Sequence, residues 1–250
     1  GQRIAIAVQM VVIYAEYCVC PEDVVIPLPD EISYEQAASV LLQGLTAHAL
    51  SQEAYAIQAR DTVLIQAAAG GVGLLLTQMA KMRGAKVIGT CSTSEKAMKI
   101  RAVGGDDIIL YTKNDVVKEV LQLTDGAGVH AVFDGVGKTT FDAGLEVLRA
   151  KGSMVIYGLT SGNIPSFDIN RLSGITGDSG RGCLSVMWAS LSTYNAYQED
   201  RLKRAQTVLG WVKEGLLTIN MADQFSLDQA SKAHHLLESR QTIGKVLLIP

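Results

Sequence analysis

One stretch restricts the possible folds of this chain more than any other. A continuous apolar segment, Thr62–Gln66, runs into Ala68-Ala69-Gly70-Gly71-Val72-Gly73, and a helical pattern follows over Leu74–Met82. An apolar run without alternation suits a strand covered on both sheet faces. The loop fits G-x-G-x-x-G with Ala68 in the first glycine position. Glycines there let the chain turn tightly, let its backbone approach a pyrophosphate, and let the helix pack close to the strand. The helix N-terminus then offers unpaired N–H groups to the phosphates. Position between a strand and a helix is the context that gives such a loop meaning. The reading is a dinucleotide-binding turn; the alternative is a glycine-rich packing turn.

The rhythm continues downstream. Lys86–Gly89, Asp107–Leu110, Val129–Phe133 and Ser153–Tyr157 read as strands. Ser94–Val103, Asn114–Leu123 and Thr140–Leu148 read as helices between them. This alternation predicts an α/β fold with a doubly wound parallel sheet. Before it, Arg3–Val8, Ala15–Val19 and Val24–Ile26 read as short strands, and Ser33 as a helix N-cap with Gln36 closing a capping box. After it come a Gly/Ser-rich loop over Ser173–Arg181, a strand over Cys183–Met187 and a long helix over Arg201–Glu214 stopped by Gly215. A hairpin-like segment, a helix at Asp228–Glu238 and a strand at Lys245–Ile249 close the chain.

Charge and cysteine usage narrow the function classes. Net charge is −3 and no Lys/Arg block occurs, which argues against a nucleic-acid partner. No apolar run is long enough to span a membrane. Cys18, Cys20, Cys91 and Cys183 form no C-x-x-C pair, so reduced thiols in a cytoplasmic setting are expected. His48, His130, His234 and His235 show no ligand spacing with carboxylates, and no metal site is expected.

NAD-binding loops often place an Asp or Glu about 20 residues beyond the glycines, for the ribose hydroxyls. Here that place reads Thr90-Cys91-Ser92-Thr93, with hydroxyls on Ser92 and Ser94 and a charge on Lys96. An acid would repel a 2′-phosphate; these groups would accept one. NADPH is therefore the expected cofactor, unless Lys96 is simply a solvated helix residue.

With these residues in place, the chain resembles the zinc-free, zeta-crystallin-like quinone oxidoreductases of the medium-chain dehydrogenase/reductase superfamily. The resemblance runs through Tyr14-Ala15-Glu16-Tyr17, Pro29–Ser33, Gln36-Ala37-Ala38, Gln43–Ala47, Ala67–Gly73, Gly89-Thr90 and Glu95-Lys96-Ala97. It continues through Phe133-Asp134-Gly135-Val136-Gly137, Glu238-Ser239-Arg240 and Gly244-Lys245. It implies a Rossmann domain over 44–191 and a GroES-like β-barrel catalytic domain built from 1–43 and 192–250, with the nicotinamide in their cleft. The family also has a segment ahead of the position of Gly1, carrying polar residues beside the nicotinamide. That part of the barrel is expected to be missing from this chain, which bears on its catalytic competence.

Residue by residue, the resemblance places the 2′-phosphate on Lys96 and Tyr111, with Arg240 reaching in from the C-terminal part as a clamp on the adenosine end, or standing as a surface arginine near a turn. Ala69, Gly70, Gly71, Val72 and Gly73 would cradle the pyrophosphate, and Ser92 would sit by the adenosine ribose. Thr46, at the expected start of the first helix of the cofactor domain, would face the nicotinamide or its phosphate, or serve as an ordinary N-cap. Gly137 and the turn Tyr157-Gly158-Leu159, extended by Ser161, fall at strand ends where such sheets bind ligands. For Ser161 the alternative is loop chemistry without contact. Cys91 stands where NAD-specific relatives place their acid and would be a thiol near the adenosine ribose; the alternative is a small buried side chain. Zinc enzymes of the superfamily supply a cysteine ligand where this chain has Gln43, and their four-cysteine lobe has no room between Val8 and Tyr14.

The activity implied is NADPH-dependent reduction of quinones or related conjugated carbonyls without zinc. The alternatives are an enone or alkenal double-bond reductase and a non-catalytic NADPH-binding protein. No residue presents a general acid or nucleophile. The apolar strand 183–187 matches a family strand at a subunit edge, so a homodimer is expected through it.

Overall fold

The computed structural model describes residues 1–7, 14–174, 181–239, 242 and 244–250. In chain order its principal elements are β1 (Ile4–Ile6), β2 (Val25–Pro27), α1 (Tyr34–Ala49), β3 (Thr62–Ile65), α2 (Gly71–Met82), β4 (Lys86–Cys91), α3 (Ser94–Ala102), β5 (Asp107–Leu110), α4 (Val116–Leu123), β6 (Val129–Asp134), α5 (Phe141–Glu146), β7 (Leu148–Ile156), β8 (Ser185–Trp188), α6 (Leu191–Tyr194), α7 (Gln198–Lys213), β9 (Met221–Ser226), α8 (Ala230–Glu238) and β10 (Lys245–Ile249). They fall into two compact units. One comprises 49–69 and 76–190; the other comprises 1–48, 70–75 and 191–250.

The unit of 49–69 and 76–190 holds a six-stranded, all-parallel sheet in the order β5-β4-β3-β6-β7-β8. This is the expected doubly wound Rossmann sheet. The chain builds outward from β3 to β5, then returns to the other side of β3 with β6. That reversal leaves a crevice beyond the carboxyl ends of β3 and β6, where such sheets take ligands. Val63, Leu64 and Ile65 of β3 are fully buried, which is why the segment shows no alternation. Leu64, Ile88, Val120, Val132, Phe141, Val147 and Met154 form the core on which α4 and α5 rest.

At the amino end of the sheet, Asp61 is 7% exposed and accepts from the Tyr55 hydroxyl (3.0 Å) and the Gln58 N–H (2.8 Å). His130 Nδ1 accepts the Thr62 N–H at 3.0 Å, and its Nε2 lies 3.6 Å from Asp61. Burial, then the Arg149 charge, holds the His130 pKa below its ordinary value. Burial, then the bond to Asp61, pushes Tyr55 up to about 12. This cluster ties β3 to β6 at the end away from the crevice.

The unit of 1–48, 70–75 and 191–250 contains β1 and β2 as an antiparallel pair, and β9 and β10 as a parallel pair. The capping box forms as expected: the Ser33 N–H donates to Gln36 Oε1 (2.9 Å) and the Gln36 N–H donates to Ser33 Oγ (3.1 Å). In α7, Arg201 and Arg204 are only 5% and 4% exposed. Their guanidinium groups donate to main-chain and amide oxygens: Arg201 to Asn195 O and Asp23 O, Arg204 to Tyr194 O and Asn195 Oδ1.

Four expectations change. Ala15–Val19 forms no strand; Tyr17 and Val19 are 89% and 98% exposed, so the apolar alternation has no buried face. Cys183 and Leu184 lie outside β8, because Cys183 takes a left-handed φ of +55° and pairing with β7 begins at Ser185. The hairpin-like segment is the single strand β9, whose partner is β10 in parallel, with α8 as the crossover. The first long helix runs on from Leu42 to Ala49, so Thr46 starts nothing. Among the described residues no helix is long and apolar enough to cross a membrane.

Candidate cofactor site

The turn after β3 is held from β4. The Ala67 N–H donates to Thr90 Oγ1 (3.1 Å), and the Ala68 N–H donates to Thr90 O (2.9 Å). The Thr90 hydroxyl donates in turn to Gln66 Oε1 (2.7 Å), and the Gln66 N–H donates to Phe133 O (2.9 Å). Thr90 and Gln66 are 1% and 3% exposed. Ala67 has φ +50°, a left-handed conformation that costs a side-chain-bearing residue about 1–2 kcal/mol. Its neighbours' hydrogen bonds hold it there, as is common at ligand sites.

The glycine run opens α2. The Leu74 N–H donates to Gly70 O at 2.9 Å, so Gly71 to Gly73 lie within the first helical turn. A Cβ on Gly71 would collide with the amide of Gln43, which rests against the glycine backbone. Ser39, in the same unit, keeps its Oγ buried without a partner. Thr46 donates its hydroxyl to Leu42 O (2.8 Å) from the interior of α1. The expectation that it begins or caps a helix is therefore corrected: Ser33 does the capping, about three and a half turns earlier.

At the carboxyl ends of β4 and β5, the Tyr111 N–H donates to Cys91 O (3.1 Å) and the Thr112 hydroxyl to Ser92 O (2.8 Å). Ser92 and Tyr111 thus become neighbours at the strand tips, Ser92 half-buried and Tyr111 51% exposed. Thr93 caps α3 by accepting the Lys96 N–H, which places Lys96 in the helix's first turn. Cys91 is 2% exposed and its Sγ lies 3.4 Å from Thr93 O. Burial pushes its thiol above the ordinary value. It is the small buried side chain of the two readings.

The ends of β6 and β7 are laced together. Asp134 closes β6 fully buried, accepting at Oδ1 from the N–H groups of Val136 (2.6 Å) and Gly137 (3.1 Å) and at Oδ2 from the Thr140 hydroxyl (2.7 Å). The Tyr157 N–H donates to Asp134 O (2.9 Å). Ser161 donates to Val136 O through both its N–H (2.9 Å) and its hydroxyl (2.8 Å), and accepts the Thr139 N–H (3.1 Å). Its side chain is thus engaged within the loop. Burial, then the Asp134 charge, raises the half-buried Tyr157 phenol well above its usual range.

The expected residues therefore separate into clusters. Ala69 belongs to the turn after β3. Gly70, Gly71, Val72 and Gly73 open α2. Ser92, Lys96 and Tyr111 gather at the β4 and β5 tips. Gly137, Tyr157, Gly158, Leu159 and Ser161 form the laced loops. Arg240 lies outside the described residues. Residues that went unread as site residues are Gln66, Ala67 and Thr90, Gln43 against Gly71, and Asp134. Asp134 stood in a quoted segment, but a lone aspartate at a strand end carries no signal of its three donors. Among the described residues no group of three or more His, Cys, Asp or Glu could hold a metal ion.

Comparison with known proteins gives the arrangement its lineage. The sequence profile of the family described as zinc-binding dehydrogenase matches residues 71–199. The chain belongs to that family. Its similarity within the family is to quinone oxidoreductases. It is 36% identical over 250 residues to the quinone oxidoreductase of Pseudomonas aeruginosa, covering 100% of this chain and 75% of that protein. The crystal structure of the Pseudomonas syringae quinone oxidoreductase superposes with a TM-score of 0.92 at 34% identity, over 100% of this chain and 75% of the other. The Escherichia coli quinone oxidoreductase, solved in complex with NADPH, superposes with a TM-score of 0.85 at 36% identity, over 91% of this chain and 69% of that one. As a member of this family, the chain carries the dinucleotide fold on its expected scaffold.

Proposed function

We propose that this chain is an NADPH-dependent quinone oxidoreductase. The observation that carries the reading is the tip of β4. Just beyond the strand stands a hydroxyl, Ser92, in place of an acid, with Lys96 in the helical turn that follows and Tyr111 beyond the end of the adjoining strand. A 2′-phosphate finds hydrogen-bond donors, a cation and a helix N-terminus in that place. The similarity to a quinone oxidoreductase solved with NADPH supports the same assignment.

The residues present fit the cofactor. Gly70 to Gly73 open α2, whose first-turn N–H groups would face a pyrophosphate, and the missing Cβ of Gly71 makes room for the Gln43 amide beside them. The turn of Ala67, Ala68 and Ala69 has only small side chains and is fixed by Thr90. Gly137 and Tyr157–Leu159, at the ends of β6 and β7, offer a backbone platform for the nicotinamide half. When bound, NADPH supplies the hydride. The protein's part is to orient the donor, exclude water and present the acceptor. Quinones take up electrons readily, so positioning and a dry site suffice without an acid or nucleophile from the chain.

The test is cofactor oxidation followed with a benzoquinone, with an enone, and with no acceptor, each with NADPH and NADH. The expected result is quinone-dependent oxidation with NADPH at least about tenfold more efficient than with NADH, the minimum that one charge-assisted hydrogen bond provides. A quinone rate at background with a rapid enone rate would assign the chain to double-bond reduction. Tight NADPH binding with neither acceptor reduced would make it a non-catalytic binder.

The proposal extends to assembly. Residues 1–43 and 192–250 are assigned to a GroES-like catalytic part and 44–191 to the cofactor domain. β8 is an edge strand, with Met187 and Trp188 40% and 55% exposed, and supports a homodimer by edge pairing. Sedimentation at micromolar concentration is expected to return twice the chain mass. A single-chain mass would remove this part of the proposal.

A further inference from the structure

We infer that Asp134 is a positioning residue: its carboxylate sets the backbone of the β6 loop that receives the nicotinamide half of the cofactor. The inference rests on the NADPH reading above and goes beyond it by assigning a task to a buried acid that touches no acceptor.

A carboxylate deep in a Rossmann sheet is costly, because burial removes its hydration. Asp134 is fully buried at the end of β6. Burial raises its pKa, and the hydrogen bonds from Thr140, Val136 and Gly137 oppose that rise. A core position would be filled more cheaply by an apolar residue. What the carboxylate supplies is a shape. By drawing the N–H groups of Val136 and Gly137 inward to one oxygen, it folds the chain back sharply after the strand. Gly137 takes φ +90° in the process. Its second oxygen takes the hydroxyl of Thr140, the residue that leads into α5.

The consequence reaches the neighbouring loop. With its N–H turned inward, Val136 presents its carbonyl to Ser161, which binds it twice. The Lys138 N–H donates to Gly162 O (3.2 Å) and the Thr160 N–H to Gly135 O (3.3 Å). Residues 134–140 and 157–162 thereby behave as one laced double loop with Asp134 at its base.

Topology says which part of a dinucleotide this double loop serves. In a doubly wound sheet each half of the strand set takes one mononucleotide. The β3-β4-β5 half carries the glycine turn and the Ser92–Lys96 tip. The β6-β7-β8 half, capped by the laced loops, is left for the nicotinamide. Hydride transfer is sensitive to placement: a displacement of about 1 Å can cost about a hundredfold in rate. A rigid loop base is what such sensitivity requires.

The chemistry also predicts which substitutions are tolerated. Asparagine can accept both backbone N–H groups at its Oδ1. Its amide nitrogen would then donate to Thr140 Oγ1, whose own hydrogen has a second acceptor in Gly137 O at 3.2 Å. Alanine provides none of this and leaves the N–H groups of Val136 and Gly137 without that acceptor.

The experiment compares wild type, Asp134→Ala and Asp134→Asn by titration calorimetry with two probes, NADPH and adenosine 2′,5′-bisphosphate. The second lacks the nicotinamide and reports only the adenosine half. Asp134→Ala is expected to weaken NADPH about tenfold or more while leaving the bisphosphate within about twofold, and Asp134→Asn to stay near wild type with both. Unchanged NADPH binding by the alanine variant, or equal loss of both probes in a folded protein, would overturn the inference. If the alanine variant does not fold, Thr140→Val decides. It removes the bond to Asp134 Oδ2, and with it the longer hydroxyl contact to Gly137 O, while leaving both backbone bonds to Oδ1; it should weaken NADPH severalfold and spare the bisphosphate, and no change would count against the clamp. Wild type that binds neither probe would instead defeat the NADPH reading itself.

Discussion

Gly158→Val is expected to destabilise the fold by about 3 kcal/mol and to lower NADPH affinity at least about tenfold, because the β6 and β7 loops are packed backbone to backbone at this point. A Cβ on residue 158 would lie 2.8 Å from Gly135 O and 3.2 Å from Gly135 Cα. The obstacle is main chain, so no rotamer change relieves it. Nor can the carbonyl turn away freely, since Gly135 O accepts from both the N–H and the hydroxyl of Thr160, each at 3.3 Å. The loops must therefore part, and the Ser161–Val136 lacing beside them is lost with the separation. Urea denaturation reads the first effect and NADPH titration the second. Gly210→Ala is the matched control. A Cβ there meets nothing within 4 Å in the last turn of α7, so stability should hold or rise by about 0.5–1 kcal/mol. A Gly158→Val protein with the wild-type denaturation midpoint would refute the packing argument.

That control separates two kinds of glycine which the sequence writes with the same letter, and the distinction runs through the whole comparison of sequence with structure. What was legible came from patterns that local physics enforces. Val63, Leu64 and Ile65 had to be apolar without alternation because both sheet faces are covered. Ser33 and Gln36 had to stand three apart to exchange their bonds. The glycines had to follow a strand and open a helix. What was not legible depends on partners far away in sequence. Ala67 is an ordinary letter, yet it takes a left-handed backbone because Thr90, on the next strand, holds its N–H. Thr46 reads equally well as a cap or as a helix interior, and only the continuation of α1 to Ala49 decides it. β9 and β10 are separated by residues that suit a turn or a helix, and their parallel pairing follows from α8 lying between them. Asp134 is the extreme case: its donors are local, but the loop it braces is anchored to another strand.

Ser92→Asp combined with Lys96→Ala is expected to invert the coenzyme preference, moving the NADPH/NADH affinity ratio by about a thousandfold. Each half of the change acts on the same phosphate. Removing the ammonium deletes a charge-assisted bond of about 1.5–3 kcal/mol, a tenfold to hundredfold loss for NADPH that NADH, lacking the phosphate, does not feel. An aspartate at 92 adds repulsion against a 2′-phosphate and offers a carboxylate to the ribose hydroxyls of NADH. Position 92 is the one to change, although Cys91 ends the strand. Cys91 is 2% exposed and turned toward Thr93 O, so an acid at 91 would be buried without a ligand to meet. Ser92 is half-buried at the tip, with its own carbonyl tied to Thr112, so its side chain can change while the backbone stays in place. An acid there also lies just ahead of the positive end of α3, which favours its charge and keeps the folding cost small. The single variants divide the effect. Lys96→Ala alone should weaken NADPH and leave NADH within about twofold, since only one of the two coenzymes makes a charge-assisted bond there. Ser92→Asp alone should strengthen NADH. If the double variant still binds NADPH tenfold better than NADH, the 2′-phosphate is held elsewhere, and the β4 tip is not the discriminating surface.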